Sequence, residues 1–153
     1  PSRGLSSAVH RSKTMTNKKP GSGIFSPILL GILLLIPGCE DSSVGIGPEN
    51  QLEVTNAVDQ FQFQLTALDK VTDRRTYDWE NTGTQATIDI SQAITGGSVI
   101  LRIRDAEGTV VYDAEIAQEN ETTTPAAVAG TWEVEVVLRN STGTFNFRVQ
   151  KAT

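Results

Sequence analysis

Tyr77 and Trp79 stand two residues apart in the run Arg74-Arg75-Thr76-Tyr77-Asp78-Trp79-Glu80. In an extended chain, residues i and i+2 project to one side, so the two rings would share a face. Exposed, that face is a stacking platform for a sugar ring, with Arg75, Asp78 and Glu80 at hand for its hydroxyls. Turned inward, the same rings fill a core, where aromatic side chains contribute most burial. Paired carboxylates are the other chemistry to weigh. Glu133 and Glu135, like Asp113 and Glu115, stand two apart, and two carboxyls flanking a cleft can hydrolyse a glycosidic bond. Charges alternating along a strand more simply mark its wet side, so no catalytic residue is assigned. Asp59, Asp69, Asp73, Asp105 and Glu107 are hard oxygen donors in expected loops and strand ends, the kind of group that binds calcium. No D-x-D-x-D-G loop joins them, so no cofactor is expected, with a structural calcium as the lesser reading.

Other chemistry is missing from the chain beyond Cys39. The single histidine is His10 and the single cysteine is Cys39 itself. Without a histidine, a Ser-His-Asp triad, a Cys-His pair and a His-based metal centre are all excluded from that stretch. With one cysteine there is no disulfide framework. From Cys39 onward there are eight basic residues against eighteen acidic ones, a net charge of −10, compared with −5 for the whole chain. Such a surface repels nucleic acid.

Cys39 sits at a telling place. Lys18-Lys19 precede an uncharged apolar run from Ile24 to Ile36, followed by Pro37-Gly38-Cys39. The run is about a dozen residues, whereas a spanning helix needs about 20. A positive end followed by a short apolar core reads as a signal peptide. The end of that core, Leu35-Ile36-Pro37-Gly38-Cys39, resembles the lipobox of bacterial lipoproteins; Ile36 and Gly38 fit its pattern and Pro37 departs from it. The resemblance implies a diacylglycerol on the Cys39 thiol and cleavage just before it. Met15, the only methionine, opens Met15-Thr16-Asn17-Lys18-Lys19. The expected organisation is therefore an upstream extension over 1–14, a signal peptide over 15–38, a lipidated cysteine with a flexible tether over 39–50, and one folded domain over 51–153.

The elements that must position these residues show period-two alternation. Phe61, Phe63 and Leu65 alternate with Gln60, Gln62 and Gln64; Trp132, Val134, Val136 and Leu138 alternate with Glu133, Glu135, Val137 and Arg139; Phe145, Phe147 and Val149 alternate with Asn146, Arg148 and Gln150. This is the pattern of antiparallel strands with one buried and one wet face. Turn residues fall between them at Asn81-Thr82-Gly83, Gly96-Gly97, Asp105-Ala106-Glu107-Gly108 and Asn140-Ser141-Thr142-Gly143. About eight strands are expected, over 52–55, 59–67, 75–80, 84–90, 98–104, 109–116, 131–138 and 144–150. The fold class is all-β, an antiparallel β-sandwich of jelly-roll or Ig-like type. Hairpins are expected for 98–104 with 109–116 and for 131–138 with 144–150. Val99-Ile100-Leu101 is apolar on both faces and should lie in a central strand.

Gly130-Thr131-Trp132-Glu133-Val134-Glu135-Val136 with Gly143-Thr144-Phe145-Asn146-Phe147-Arg148-Val149 resembles the closing hairpin of pre-peptidase C-terminal domains and related secreted jelly rolls, as does Leu101-Arg102-Ile103-Arg104 followed by Asp105-Ala106-Glu107-Gly108. That resemblance implies an accessory or binding role and brings no catalytic residues. Together these readings lead to an expected non-enzymatic lipoprotein of the bacterial cell envelope, lipid-anchored through Cys39 and facing the periplasm or cell exterior. Its sandwich would serve a structural or protein-binding role. The alternative is a carbohydrate-binding module using Tyr77 and Trp79. Expected partners are the membrane, through the diacylglycerol, and an envelope protein or polysaccharide; nucleic acid is not among them.

Overall fold

The computed structural model of the chain describes residues 44–153, apart from residue 119. The expected extension, signal peptide, Cys39 and the start of the tether lie outside the described residues. Among the described residues six strands form: β1 (Glu53–Ala57), β2 (Gln60–Asn81), β3 (Ala86–Arg104), β4 (Val110–Glu115), β5 (Asn120–Thr123) and β6 (Gly130–Lys151). They pair antiparallel in the order β1-β2-β6-β3-β4, with β5 also on β3. The fold is the expected all-β antiparallel architecture, but its strands are fewer and longer.

Three of them, β2, β3 and β6, run for 22, 19 and 22 residues. Each merges two of the expected strands, and each bends back on itself in the middle. The first half of β2 (60–65) pairs with the last part of β6 (145–150), while its second half (73–81) pairs with the start of β6 (130–138). β3 divides in the same way: 86–93 pairs with 144–151 of β6, and 98–104 pairs with 133–139. Two packed layers result. One is β1, the first half of β2, the second half of β6, the first half of β3, and β5. The other is the second half of β2, the first half of β6, the second half of β3, and β4. The expected hairpin of 98–104 with 109–116 forms as β3 and β4. The one expected of 131–138 with 144–150 does not. Those segments are one strand, β6, whose halves pair in different layers.

The bends have a local cause. Register shifts between Leu65 and Asp73 and between Ile94 and Ser98 accompany backbone in the positive-φ region at Ala67, Lys70, Gly97, Asn140 and Gly143. Asparagine and glycine tolerate that region better than other residues, so the turn residues at 96–97 and 140–143 do change the chain's direction. They do so within a strand and not between hairpin partners. At two of these points only glycine fits. A Cβ on Gly97 would lie 2.1 Å from the Asn140 carbonyl oxygen, and one on Gly143 would lie 2.2 Å from that of Ala93.

The apolar side of each alternation faces the other layer. Phe61, Phe63, Leu65, Ile88, Phe145, Phe147 and Val149 meet Trp79, Val99, Leu101, Ile103, Trp132, Val134, Val136 and Leu138, all fully buried. Rings stack at Phe63–Phe147 (5.5 Å) and meet edge to face at Trp79–Trp132 (5.8 Å, 86°). Val99-Ile100-Leu101 lies centrally, between β6 and β4.

Residues 44–50 correct the expected boundary between tether and domain. Val44 makes a parallel bridge to Val71, and its carbonyl accepts from the Thr72 N–H at 2.9 Å. The Ile46 N–H donates to Asp73 Oδ2 at 3.1 Å. Pro48–Asn50 form a single 3-10 turn, and buried Asn50 closes it: its Nδ2 donates to the Ala67 carbonyl at 3.0 Å and its Oδ1 accepts from the Gly47 N–H at 2.9 Å. Paired backbone and a buried amide hold this segment on the bend of β2, so it is part of the domain and not a flexible leash.

Candidate functional site

The five residues expected to form a sugar platform do not form one surface. Trp79 is fully buried, and its indole N–H donates to the Ala57 carbonyl at 3.1 Å. Tyr77 is half-buried between Phe61 (5.4 Å) and Phe63 (5.9 Å), and burial pushes its phenol up from the usual value. Trp79 belongs to the core, and Tyr77 packs against it from the rim. Arg75 projects to the same side at the open edge of the layer and pairs with Asp73 at 2.8 Å. Its Nε is buried with no partner among the described residues. Asp78 and Glu80 occupy alternate positions and so face the opposite way, into solvent. The Asp78 carbonyl accepts from Asn56 Nδ2 at 2.8 Å, and Glu80 accepts from Thr131 Oγ1 at 3.2 Å.

The outer face of that layer is an ion-pair lattice. Glu135, almost fully buried, receives Arg74 at 2.8 Å, Arg102 at 3.0 Å and Arg104 at 3.7 Å. Arg102 also meets Asp113 at 2.9 Å, which raises the guanidinium's affinity for its proton, and Arg104 meets Glu133. The carboxylates weighed as glycosidase pairs are therefore partly spent on arginines across strands. Among the described residues no group of three or more His, Cys, Asp or Glu could hold a metal. Three of the five candidate calcium donors, Asp59, Asp73 and Asp105, have other partners. Asp105 accepts from the N–H groups of Val128, Thr109 and Glu107, which hold its carboxyl below the ordinary value. Asp59 is held low first by Lys151, at 2.7 Å, and then by Thr82.

The other layer presents a different surface. Across its outer face the register aligns three rows: Glu53, Gln64, Asn146 and Ser91; Thr55, Gln62, Arg148, Asp89 and Glu121; Ala57, Gln60, Gln150, Thr87 and Thr123. Five primary amides stand on it: Gln60, Gln62, Gln64, Asn146 and Gln150. Their side chains make no hydrogen bond within the described part of the structure. Among the described residues of this face the one cation, Arg148, is neutralised by Asp89 at 3.0 Å, and the carboxylates without an ion-pair partner stand at the margins, on Glu53 and Glu121. Rows lie about 6.7 Å apart along the strands, and neighbours about 4.8 Å apart across them. A hollow of about 200 Å³, lined by Ser91, Gln92, Ala93, Thr144, Phe145 and Asn146, sits at one end. In the sequence Gln60, Gln62 and Gln64 read as the wet half of an alternation. What sets them apart in the sequence is their kind, amide three times over where charge is the common choice. Their alignment with Asn146 and Gln150 needed the register.

A cleft of about 370 Å³ opens at the edge where β4 and β5 part, with Tyr112 beside Ile90 and Ala114, and Glu115 and Asn120 on its rim. Burial raises the Tyr112 phenol above its usual value.

No protein family matches this chain, and no curated protein does. Solved structures with a similar strand arrangement include a CBM4 carbohydrate-binding module (14% identity, covering 68% of this chain and 80% of that one, TM-score 0.38). They also include TmCBM61 in complex with β-1,4-galactotriose (14%, 69% and 82%, TM-score 0.37). A third is the glycosylation-associated Gap123 complex of Streptococcus agalactiae (9%, 74% and 43%, TM-score 0.34).

Proposed function

We propose that this chain is a lipid-anchored, non-enzymatic protein of the bacterial envelope whose sandwich binds a neutral polysaccharide on the amide-lined face. The observation that carries the binding role is that face: five primary amides without a hydrogen-bond partner among the described residues, on a sheet with a neutral centre, in a strongly acidic protein. Each amide offers two donors and two acceptor lone pairs in one plane, a match for adjacent sugar hydroxyls. A flat grid several strands wide suits an extended polymer better than a small molecule, which calls for a concave pocket. The anchor rests on the lipobox-like Leu35-Ile36-Pro37-Gly38-Cys39, and the absence of histidine beyond Cys39 supports the non-enzymatic part.

The processed protein, purified in detergent, is titrated calorimetrically with a panel of neutral and acidic polysaccharides. Binding to a neutral member with little dependence on salt is expected, because no net charge is engaged. Replacing Gln62, Asn146 and Gln150 together with Ala should weaken binding at least tenfold while leaving the melting temperature within a few degrees. No binding to any neutral polysaccharide, or binding untouched by the triple substitution, removes this reading. Cys39→Ser should release the protein from the membrane fraction or stall it as a precursor.

A further inference from the structure

We infer that the cleft where β4 and β5 part is a second binding site, built to hold one terminal neutral sugar ring beside Tyr112. It deepens the polysaccharide reading above and rests on it only for where the sugar comes from. Both strands pair with β3, β4 along 100–104 and β5 along 87–90, so they lie in different layers and face each other across the gap between them. Cross-strand partners share a face. Tyr112 and Ala114 stand opposite Ile103 and Leu101, and Asn120 stands opposite Ile90; these three apolar partners are buried. The inward positions of this edge are thus a phenol, a methyl and an amide, where the rest of the interior holds large apolar side chains. They do not fill the gap, and a cleft of about 370 Å³ remains, with Ile90 in its lining. At the opposite edge the gap is filled, with Tyr77 packed between Phe61 and Phe63.

The lining states the ligand's chemistry. Tyr112, Glu115, Gln118 and Asn120 bring a phenol, a carboxylate and two amides to the cleft, and Ile90, Ala114 and Ala117 supply the apolar remainder. None of those four polar side chains has a hydrogen-bond partner among the described residues, whereas the neighbouring Asp113 is taken up by Arg102. An aromatic ring with donors and acceptors around it suits a pyranose, whose C–H groups pack on the ring while its hydroxyls meet the amides and the carboxylate. No cation lines the cleft, so an anionic sugar would meet Glu115 without a counter-charge. A cleft of this size lies near the lower end of small-molecule sites, roughly 300–1,000 Å³, and takes a single unit in place of a stretch of polymer. The connection from β4 to β5 closes one end. The Ile116 N–H donates to the Val99 carbonyl at 2.7 Å in one layer, and the Ala117 carbonyl accepts from Gln92 Nε2 at 3.0 Å in the other. A polymer therefore cannot run along the cleft and out of that end, and what enters is a chain terminus or a free sugar.

The test titrates the processed protein in detergent with the methyl glycosides of glucose, galactose, mannose and N-acetylglucosamine, read by saturation-transfer NMR, with methyl glucuronide as the charged control. At least one neutral glycoside should bind with a dissociation constant of about a millimolar, the range open to so small a ligand, and the glucuronide should not bind. Asn120→Ala, which removes a hydrogen-bonding group, and Ala114→Phe, which fills the cleft, should each weaken binding at least about fivefold without moving the melting temperature by more than a few degrees. If Ala114→Phe unfolds the domain, Asn120→Ala and Tyr112→Phe decide. Replacing Gln62, Asn146 and Gln150 together with Ala should leave glycoside binding unchanged, so failure of the amide face and failure of the cleft are read separately. An oligosaccharide of the polymer held by the amide face that binds more tightly than its own methyl glycoside, with the gain lost in Ala114→Phe, marks the ligand as a chain terminus; equal affinities mark it as a free sugar. No binding of any neutral glycoside up to roughly 50 mM, binding of the glucuronide alone, or binding untouched by the cleft substitutions overturns the site.

Discussion

Phe61 and Tyr77 lie sixteen residues apart on the single strand β2, yet their ring centroids are 5.4 Å apart. A straight strand would separate them by about 50 Å. The strand therefore doubles back at its register shifts and covers its own start, so one element serves both layers. The same is true of β3 and β6. The core is consequently built from a few long-range pairings and not from local hairpins.

Both tryptophans should report a closed interior. Trp79 and Trp132 are the only two in the chain, and both are fully buried with their N–H groups satisfied by Ala57 and Val128. Native emission should be blue-shifted, poorly quenched by iodide, and unchanged on adding polysaccharide. Trp79→Ala should lower stability by about 3–5 kcal/mol. Free iodide access to either indole in the native state would contradict its place in the core.

Three glycines separate backbone strain from steric exclusion. Gly97 and Gly108 both have positive φ (69° and 81°), but Gly108 has nothing within 4 Å of its missing Cβ whereas Gly97 faces backbone. Gly108→Ala should cost about 1–2 kcal/mol, the left-handed penalty alone. Gly97→Ala and Gly143→Ala should cost more than that, because the neighbouring strand's backbone must also move. Urea midpoints for the three variants give the comparison; equal losses would mean that the bends are loosely packed.

Asn50 distinguishes a docked segment from a leash. Its buried amide spans Gly47 and Ala67, so Asn50→Ala should destabilise by about 1–3 kcal/mol. A residue in a free tether would change stability by less than about 0.5 kcal/mol. Chemical denaturation of the two proteins decides.

Acid should unfold the domain through its loop aspartates. The carboxyls of Asp59, Asp73 and Asp105 are held below the ordinary aspartate value of 3.8, Asp59 by Lys151 and Asp105 by the Val128 N–H. At Asp73, burial raises the value, but the N–H of Ile46 and the Arg75 guanidinium outweigh it. A depressed folded value means the unfolded chain binds protons first as pH falls. The stabilisation is therefore complete above about pH 4 and is lost progressively below it. Urea midpoints measured from pH 7 to pH 2 should fall in that window, and Asp105→Asn should flatten part of the fall. A midpoint constant down to pH 2 would refute the assignment.

Much of this protein was legible in its residues. Alternation at 60–65, 132–138 and 145–149 marked the strands and which side chains share a face, because side-chain direction in an extended chain is a local property. The turn residues marked where the chain changes direction, since positive φ is also local. Composition excluded histidine and disulfide chemistry beyond Cys39. Three things were decided only in three dimensions. Whether 140–143 joins a hairpin or bends one strand depends on the partner, and the partners of β6 lie far away in sequence. Whether Tyr77 and Trp79 face water or core depends on what covers them, and here the first half of their own strand does. That Gln60, Gln62 and Gln64 line up with Asn146 and Gln150 depends on register, which is set by non-local packing of the buried face. A chain carries its faces in its own order of residues, but which face meets which is a property of the assembled sheet.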